Sequence, residues 1–140
     1  MAKFLTFIKK DSDKPTLGVL VENMALDLRA SNNNFPSDLL SFIQGGESMQ
    51  KLVKEVCLKP QKSNMYPLGD VRLKAPLLNP PSLKDFFAFE AHAKAGAKRR
   101  NENLADEWYE IPTYYKGNHR AIFGMGDEIP WPYYTKKLDF

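Results

Sequence analysis

The chain is poor in cysteine and histidine and has no long apolar run. Its 140 residues include one cysteine, Cys57, and two histidines. A lone cysteine excludes a disulfide within the chain and is typical of proteins from a reducing compartment. No stretch approaches the roughly 18 consecutive apolar residues that a membrane helix needs, and the N-terminal ten residues lack the layout of a signal peptide. We therefore expect a cytoplasmic protein with no membrane association.

An excess of charge of one sign is also missing. The formal net charge is +3, which allows anionic ligands without indicating nucleic acid. The basic residues between 94 and 100 are soon offset by acidic ones, and no segment matches a nucleic-acid-binding motif. A composition of 43% hydrophobic and 26% charged residues is that of a globular protein rather than a disordered one. Nucleic acid is not an expected partner.

Three short β-prone runs near the start of the chain predict an antiparallel meander. They cover residues 3–8, 17–21 and 24–28. A polar stretch ending in Pro15 separates the first two runs, and Glu22-Asn23 is expected to be a tight turn between the last two.

Two helices are expected next. Apolar residues at helical spacing predict one helix over residues 39–43, ended by the glycines at 45–46, and a second over residues 47–58, closed by Pro60. Cys57 falls on the apolar face of the second helix, so we expect a packed thiol.

A domain boundary is expected near residues 64–76. A short strand is predicted at residues 71–73, and beyond it the sequence becomes rich in aromatic residues, glycine and proline. We therefore divide the chain into an N-terminal α+β module, residues 1–70, and a second domain that begins within residues 71–140.

Residues 79–92, with the sequence NPPSLKDFFAFEAH, concentrate the side chains suited to chemistry. If the segment is helical throughout, as its alanines favour, Asp85 and His92 lie two turns apart on one face, roughly 10 Å along the axis. A break after Asp85 would instead let the aspartate point into a site that the helix borders. Either arrangement allows a carboxylate and an imidazole to line one pocket.

Each of these residues also has an ordinary structural interpretation. Ser82 and Asp85 have the spacing of a helix capping box, and His92 could be a surface histidine near a basic helix end. The basic residues between 94 and 100 are either a solvated helix end that complements the helix dipole or a clamp for a substrate carboxylate. Spacing alone favours the structural interpretations.

Three separated stretches, taken in order, resemble the fumarylacetoacetate hydrolase family. In residues 79–92 an Asp-Phe pair precedes a histidine by the family's seven residues; residues 107–115, EWYEIPTYY, look like its Trp, Pro and Tyr stretch; residues 121–130, AIFGMGDEIP, resemble the Gly-rich turn and strand that follow. The resemblance covers residues 71–140, whereas residues 1–65 fit only in a general way. It implies an α+β fold in which the N-terminal module is followed by the opening helix and strands of the family's mixed β-roll.

The resemblance also implies roles for single residues. Asp85 matches the first carboxylate ligand of a Mg²⁺ or Ca²⁺ ion, a hard cation that prefers oxygen ligands. His92 matches the histidine that activates water as a general base, a task suited to imidazole. Tyr115 matches a substrate-contacting tyrosine, and Arg99 or Arg100 would take the place of a substrate-binding arginine.

The implied activity is that of part of a metal-dependent hydrolase. In the family a divalent cation polarises a carbonyl and stabilises the enolate released when a carbon–carbon bond breaks. The substrate would be a small 1,3-dicarbonyl or 2-oxo acid of the fumarylacetoacetate, fumarylpyruvate or acylpyruvate type, from aromatic compound catabolism. An isomerase, decarboxylase or hydratase of a 2-oxo acid on the same fold stays open, and the complete enzyme is expected to be a homodimer.

The sequence departs from the family pattern after residues 138–140, Leu-Asp-Phe. Family members continue there into Glu-x-Glu and a later aspartate, and a single aspartate is a poor site for a hard cation. We therefore expect the 140-residue chain alone to be inactive, with an unpaired strand edge near residues 121–123. Three explanations stay open: a fragment of a longer enzyme, a split enzyme completed by a C-terminal polypeptide, or a non-catalytic interaction module.

Overall fold

The computed structural model describes residues 2–137, which form two compact units. We call residues 2–78 together with 122–137 the sheet unit, and Asn79–Ala121 the ribbon unit. Residues 138–140, the Leu-Asp-Phe compared above with the family pattern, lie outside the described residues.

The sheet unit is built on a five-stranded antiparallel sheet. Its strands are β1 (Phe4–Lys9), β2 (Pro15–Val21), β3 (Met24–Asp27), β4 (Met65–Pro67) and β5 (Val71–Lys74). They lie in the order β4-β3-β2-β1-β5. Strands β1, β2 and β3 are neighbours in the chain and in the sheet, with Phe4 opposite Val19 and Gly18 opposite Asp27. The predicted meander is therefore confirmed.

The turn between β2 and β3 is as tight as predicted. Glu22 and Asn23 both adopt the left-handed conformation, with φ of 49° and 62°. Two successive left-handed residues match the twist of an antiparallel strand pair. This conformation is common for asparagine and less so for glutamate.

Helices follow the meander, and aspartates cap the first two. The helices are α1 (Leu28–Ser31), α2 (Leu39–Gln44) and α3 (Gly46–Leu58), with single 3₁₀ turns at Lys62–Asn64 and Leu68–Asp70. The Asp27 carboxylate accepts a hydrogen bond from the Ala30 N–H, and that of Asp38 from the Ser41 N–H, each at 2.9 Å. Both predicted helices are confirmed.

The core lies between α2, α3 and one face of the sheet. Because side chains alternate along a strand, Leu17 and Val19 of β2 point to the same face, where they pack in one cluster with Phe42 of α2 and Val53 of α3. Cys57 is partly buried against this cluster, in keeping with the packed thiol expected.

A short segment after residue 121 packs against the edge strand β5. A Cβ atom at Gly124 would lie 2.7 Å from the Ala75 nitrogen, so only glycine allows this approach. The Asp127 carboxylate accepts a hydrogen bond from the Gly124 N–H at 2.7 Å and pairs with the Lys74 ammonium. The strand predicted at residues 121–123 is not formed: these residues have no strand partner, and the Ala121 N–H donates to the nearby Asn118 carbonyl at 3.2 Å instead.

The ribbon unit contains two paired strands and two helices. These are β6 (Leu83–Phe86), α4 (Glu90–Arg99), α5 (Glu107–Glu110) and β7 (Tyr114–Gly117). Strands β6 and β7 are antiparallel, with Asp85 opposite Tyr115 and Phe86 opposite Tyr114. Pairing with β7 holds residues 83–86 extended, and the helix begins only at Glu90.

Two expectations for Asp85 are therefore wrong. It is not a helix cap, and it does not share a helix face with His92, because the helix propensity of the alanines takes effect only after β6 has ended. The alternative with a break after Asp85 is the observed one.

The architecture is mixed α+β, as predicted. The proposed division into residues 1–70 and 71–140 stays a prediction. None of the helices within residues 2–137 has the length and apolar character required to cross a membrane.

Candidate functional site

The ribbon presents Asp85 and Tyr115 side by side. Their Cα atoms are paired across β6 and β7, and directly opposed residues share a face of an antiparallel pair. The opposite face is marked by the Tyr114 ring, whose centre lies 5.2 Å from that of Phe86 and 4.6 Å from the Lys84 ammonium. A carboxylate and a phenol thus project together from one face of the ribbon, and both side chains are exposed.

His92 lies in the first turn of α4 and contacts Phe87. The two rings meet edge to face, with centres 5.7 Å apart and planes at 81°. Phe87 is fixed in turn by its backbone: its N–H donates to the Thr113 carbonyl at 3.0 Å, and its carbonyl accepts from the Trp108 indole N–H at 2.9 Å. The position of the imidazole is therefore tied to the segments that flank the ribbon.

Sequence reasoning did not identify Phe87 and Trp108 as positioning residues. Phe87 directly follows the aspartate, and Trp108 falls in a stretch noted only for its resemblance to the family. The indole-to-carbonyl bond joins residues 21 positions apart, and no local pattern encodes such a pairing.

Arg99 and Arg100 differ in direction and in charge environment. Arg99 stands seven residues after His92 in the same helix, which places both on one face, roughly 10 Å apart along the axis. Arg100 is one residue further along the chain and therefore lies on a different side of the helix from His92. Its guanidinium pairs with the Glu102 carboxylate at 2.8 Å. Of the two, Arg99 is the better candidate for an external carboxylate.

A three-residue contact joins α4 to α5. The Glu90 carboxylate accepts a hydrogen bond from the Tyr109 hydroxyl at 2.7 Å, and the Lys94 ammonium lies 2.7 Å from the same oxygen. Lys94 first, and Tyr109 second, hold the pKa of Glu90 below its ordinary value. Glu90 and Lys94 form an i, i+4 pair that the sequence allows one to foresee; the Tyr109 contact is not foreseeable in this way.

The ribbon unit also contains a small pocket of about 360 Å³ beside Phe87 and Trp108. Of the five predicted site residues, only Arg100 contributes to its lining. The pocket is therefore not formed by the carboxylate, imidazole and phenol predicted to carry chemistry.

The described residues do not fit a divalent cation on their own. Within residues 2–137, no group of three or more His, Cys, Asp or Glu side chains is arranged to hold a metal. Mg²⁺ and Ca²⁺ take six or more oxygen ligands, of which Asp85 supplies at most two. A metal at Asp85 would require further carboxylates from outside the described part of the chain.

Four of the five predicted site residues thus form two pairs: Asp85 with Tyr115 on the ribbon, and His92 with Arg99 on one helix face. Comparison with protein-family models and with curated proteins finds no match to this chain. The roles of these residues stay predictions.

Proposed function

We propose that this chain forms part of a fumarylacetoacetate hydrolase-type enzyme that cleaves a carbon–carbon bond in a 1,3-dicarbonyl or 2-oxo acid. The supporting observation is the arrangement in the ribbon unit, where Asp85 stands beside Tyr115 and a short break leads into the helix that carries His92 and Arg99. The resemblance associates the same residue types, in the same order, with this reaction. The complete enzyme is proposed to be a homodimer.

The proposal gives a role to each of three side chains, those of His92, Tyr115 and Arg99, and each role suits the chemistry of the group. The His92 imidazole accepts a proton from the attacking water, and its contact with the Phe87 ring limits its orientation. The Tyr115 hydroxyl donates to a substrate oxygen. The Arg99 guanidinium binds a substrate carboxylate through paired hydrogen bonds, a role for which Arg100 is less suited because Glu102 already occupies it.

Asp85 is proposed as one carboxylate of a Mg²⁺ or Ca²⁺ site whose other ligands lie outside residues 2–137. This requirement follows from the lack of a three-ligand group among the described residues. In the proposal, the 140-residue chain alone is therefore inactive.

A non-catalytic interaction module, or one subunit of a split enzyme, is the second candidate. It is favoured by the large apolar side chains that the ribbon unit leaves in solvent, with Phe89 82% and Tyr115 74% exposed. Exposed apolar groups of this size are typical of protein–protein contact surfaces.

The test is an assay of acetylpyruvate hydrolysis. The reaction is monitored through the decrease in absorbance of the enol form of acetylpyruvate. The chain is measured with Mg²⁺ alone and then with a separate polypeptide that supplies the C-terminal carboxylates of a fumarylacetoacetate hydrolase-type enzyme. We expect no turnover from the chain alone and Mg²⁺-dependent turnover from the mixture. Turnover by the chain alone would show that Asp85 needs no further carboxylates. A stable complex without turnover would support the interaction module.

Variants of the complemented protein separate the proposed roles. His92→Ala is expected to lower kcat by about 10²–10⁴-fold with no change in the Mg²⁺ requirement, whereas Asp85→Asn should raise the Mg²⁺ concentration needed. Arg99→Gln should raise KM, and Arg100→Gln is the matched control with little effect. If turnover survives His92→Ala, the proposed base is wrong.

A further inference from the structure

The sheet unit contains an apolar groove that none of the proposed catalytic residues lines. The groove has a volume of about 1080 Å³, slightly above the roughly 300–1,000 Å³ that is usual for small-molecule sites. Its lining includes Phe4 and Val19 of the sheet, Leu39 and Ile43 of α2, and Val53 of α3. Ile43 is an apolar side chain that remains 57% exposed.

The polar groups of the groove all belong to one helix. Gln50, Lys54 and Cys57 lie on successive turns of α3. Among residues 2–137, Lys54 is the only charged side chain in the lining, and no ion pair joins it to another of these residues. Partial burial raises the pKa of the Cys57 thiol, so this side chain adds no negative charge. The groove is therefore apolar with a single cation at its edge.

We propose that this groove binds a medium-chain aliphatic carboxylate, with the hydrocarbon tail along the apolar lining, which includes the exposed Ile43, and the carboxylate at the Lys54 ammonium. The charge pattern favours this occupant, because an anionic head finds a cation and no competing carboxylate. A peptide strand would leave most of its backbone N–H and carbonyl groups unpaired against such a lining. The proposal uses only the sheet unit and does not depend on the proposed hydrolase activity.

Cys57, the only cysteine of the chain, provides the measurement. The 140-residue chain is alkylated with N-ethylmaleimide at increasing concentrations of dodecanoate, and calorimetry gives the affinity and stoichiometry. We expect a saturable slowing of alkylation and one bound dodecanoate per chain. Dodecyltrimethylammonium, which has the same tail and the opposite charge, is expected to give little protection.

Two variants of equal charge separate a specific carboxylate site from general apolar binding. Lys54→Glu should weaken dodecanoate binding by about tenfold or more, as expected when a charge-assisted contact is lost. Lys51→Glu changes an exposed lysine of the same helix that does not line the groove and should leave the affinity unchanged. Circular dichroism checks that both variants are folded.

Three results would overturn the proposal. Equal protection by dodecyltrimethylammonium, or equal loss of affinity in the two lysine variants, would mean that the groove does not recognise a carboxylate. Slow alkylation without any ligand, in a dimer that Ile43→Glu converts to monomer, would mean that a second copy of the chain covers the groove. The comparison of the two detergent-like ligands needs no variant, so the conclusion does not depend on how the variants fold.

Discussion

The two units bury their apolar side chains to very different extents. In the sheet unit, six large side chains are less than 2% exposed or nearly so: Phe7, Phe35, Leu17, Leu26, Leu28 and Val19. In the ribbon unit, the buried apolar residues are Ala93 and Ala97, both small, and every residue of β6 is exposed. Because apolar burial is the main stabilising term in folding, the sheet unit carries its own core and the ribbon unit does not.

The candidate site lies in the less well packed of the two units. Asp85, His92 and Tyr115 all belong to the unit with little core, where hydrogen bonds such as that from Trp108 to Phe87 maintain the local geometry. Such bonds contribute only about 1 kcal/mol each. An arrangement that depends on them gains rigidity from further packing, which is what a complementing polypeptide would supply in the proposed enzyme.

Replacing one phenylalanine in each unit by alanine tests this difference in burial directly, and the loss of stability in the sheet unit is the largest effect that we expect. Phe7→Ala removes a fully buried ring and should lower the free energy of unfolding of the sheet unit by about 3–5 kcal/mol. Phe86→Ala removes a ring that is 51% exposed and should cost well under about 1 kcal/mol. Urea unfolding followed by amide hydrogen exchange, read separately for the amides of β1–β3 and of β6–β7, measures both.

Equal losses from the two substitutions would contradict the comparison, because they would mean that the ribbon packs its rings as tightly as the sheet. Slower exchange in β6–β7 than in β1–β3 of the unchanged chain would contradict it as well.

A smaller effect is expected at the buried carboxylate of the sheet unit. Asp27 is 3% exposed; it caps α1 through the Ala30 N–H and lies 2.6 Å from the Lys9 ammonium. Asp27→Ala removes the cap and leaves the lysine unpaired, and should cost about 2 kcal/mol. Asp27→Asn keeps the capping oxygen but loses both the charge and the oxygen that faces Lys9, so it should cost less than the alanine variant. Thermal unfolding of the two variants provides the measurement.

Asp38→Ala is the matched control for this prediction, because Asp38 also caps a helix but forms no ion pair with another described residue. Removing it should cost the cap and the exposed hydrogen bond from the Ser41 hydroxyl, about 1 kcal/mol in all. If both alanine variants lose the same stability, the ion pair of Asp27 with Lys9 adds nothing to the stability that the cap supplies.

The sheet unit was largely predictable because its signals are local. The strand runs, the Glu22-Asn23 turn and the helix at residues 47–58 each depend on residues close together in the chain, and all three agree with the structure. The pairing of Lys74 with Asp127 spans 53 positions, and no sequence pattern indicated it.

The ribbon unit was less predictable because its strands pair across two intervening helices. The residues after Asp85 favour a helix, but pairing with Tyr115 in β7 holds Asp85 in an extended conformation. The local sequence pattern therefore predicted a helix where the structure has a strand. The resemblance supplied the residue types of the candidate site. It did not supply the helix start at Glu90, which places Asp85 outside the helix that carries His92.

The smallest expected effect concerns the pH dependence of the sheet unit. The Ser41 N–H first, and the Ser41 hydroxyl second, hold the pKa of the Asp38 carboxyl below its ordinary value. A carboxyl whose pKa is lower in the folded state stabilises the fold at pH values above its unfolded pKa, about 3.9. This contribution is lost as the pH falls through the lower folded value. Because Asp38 is exposed, the loss should be at most about 1 kcal/mol.

Asp38→Asn isolates this contribution, because the amide oxygen can still cap α2 but does not titrate in this range. Urea midpoints of the parent and the variant, measured at pH 7 and near pH 3, should differ less at the acid pH than at neutral pH. The remaining acid sensitivity of the variant then belongs to the other carboxylates, including Asp127, whose pKa the Lys74 ammonium lowers. An equal difference at both pH values would show that the Ser41 contacts stabilise the charged and the neutral carboxyl alike.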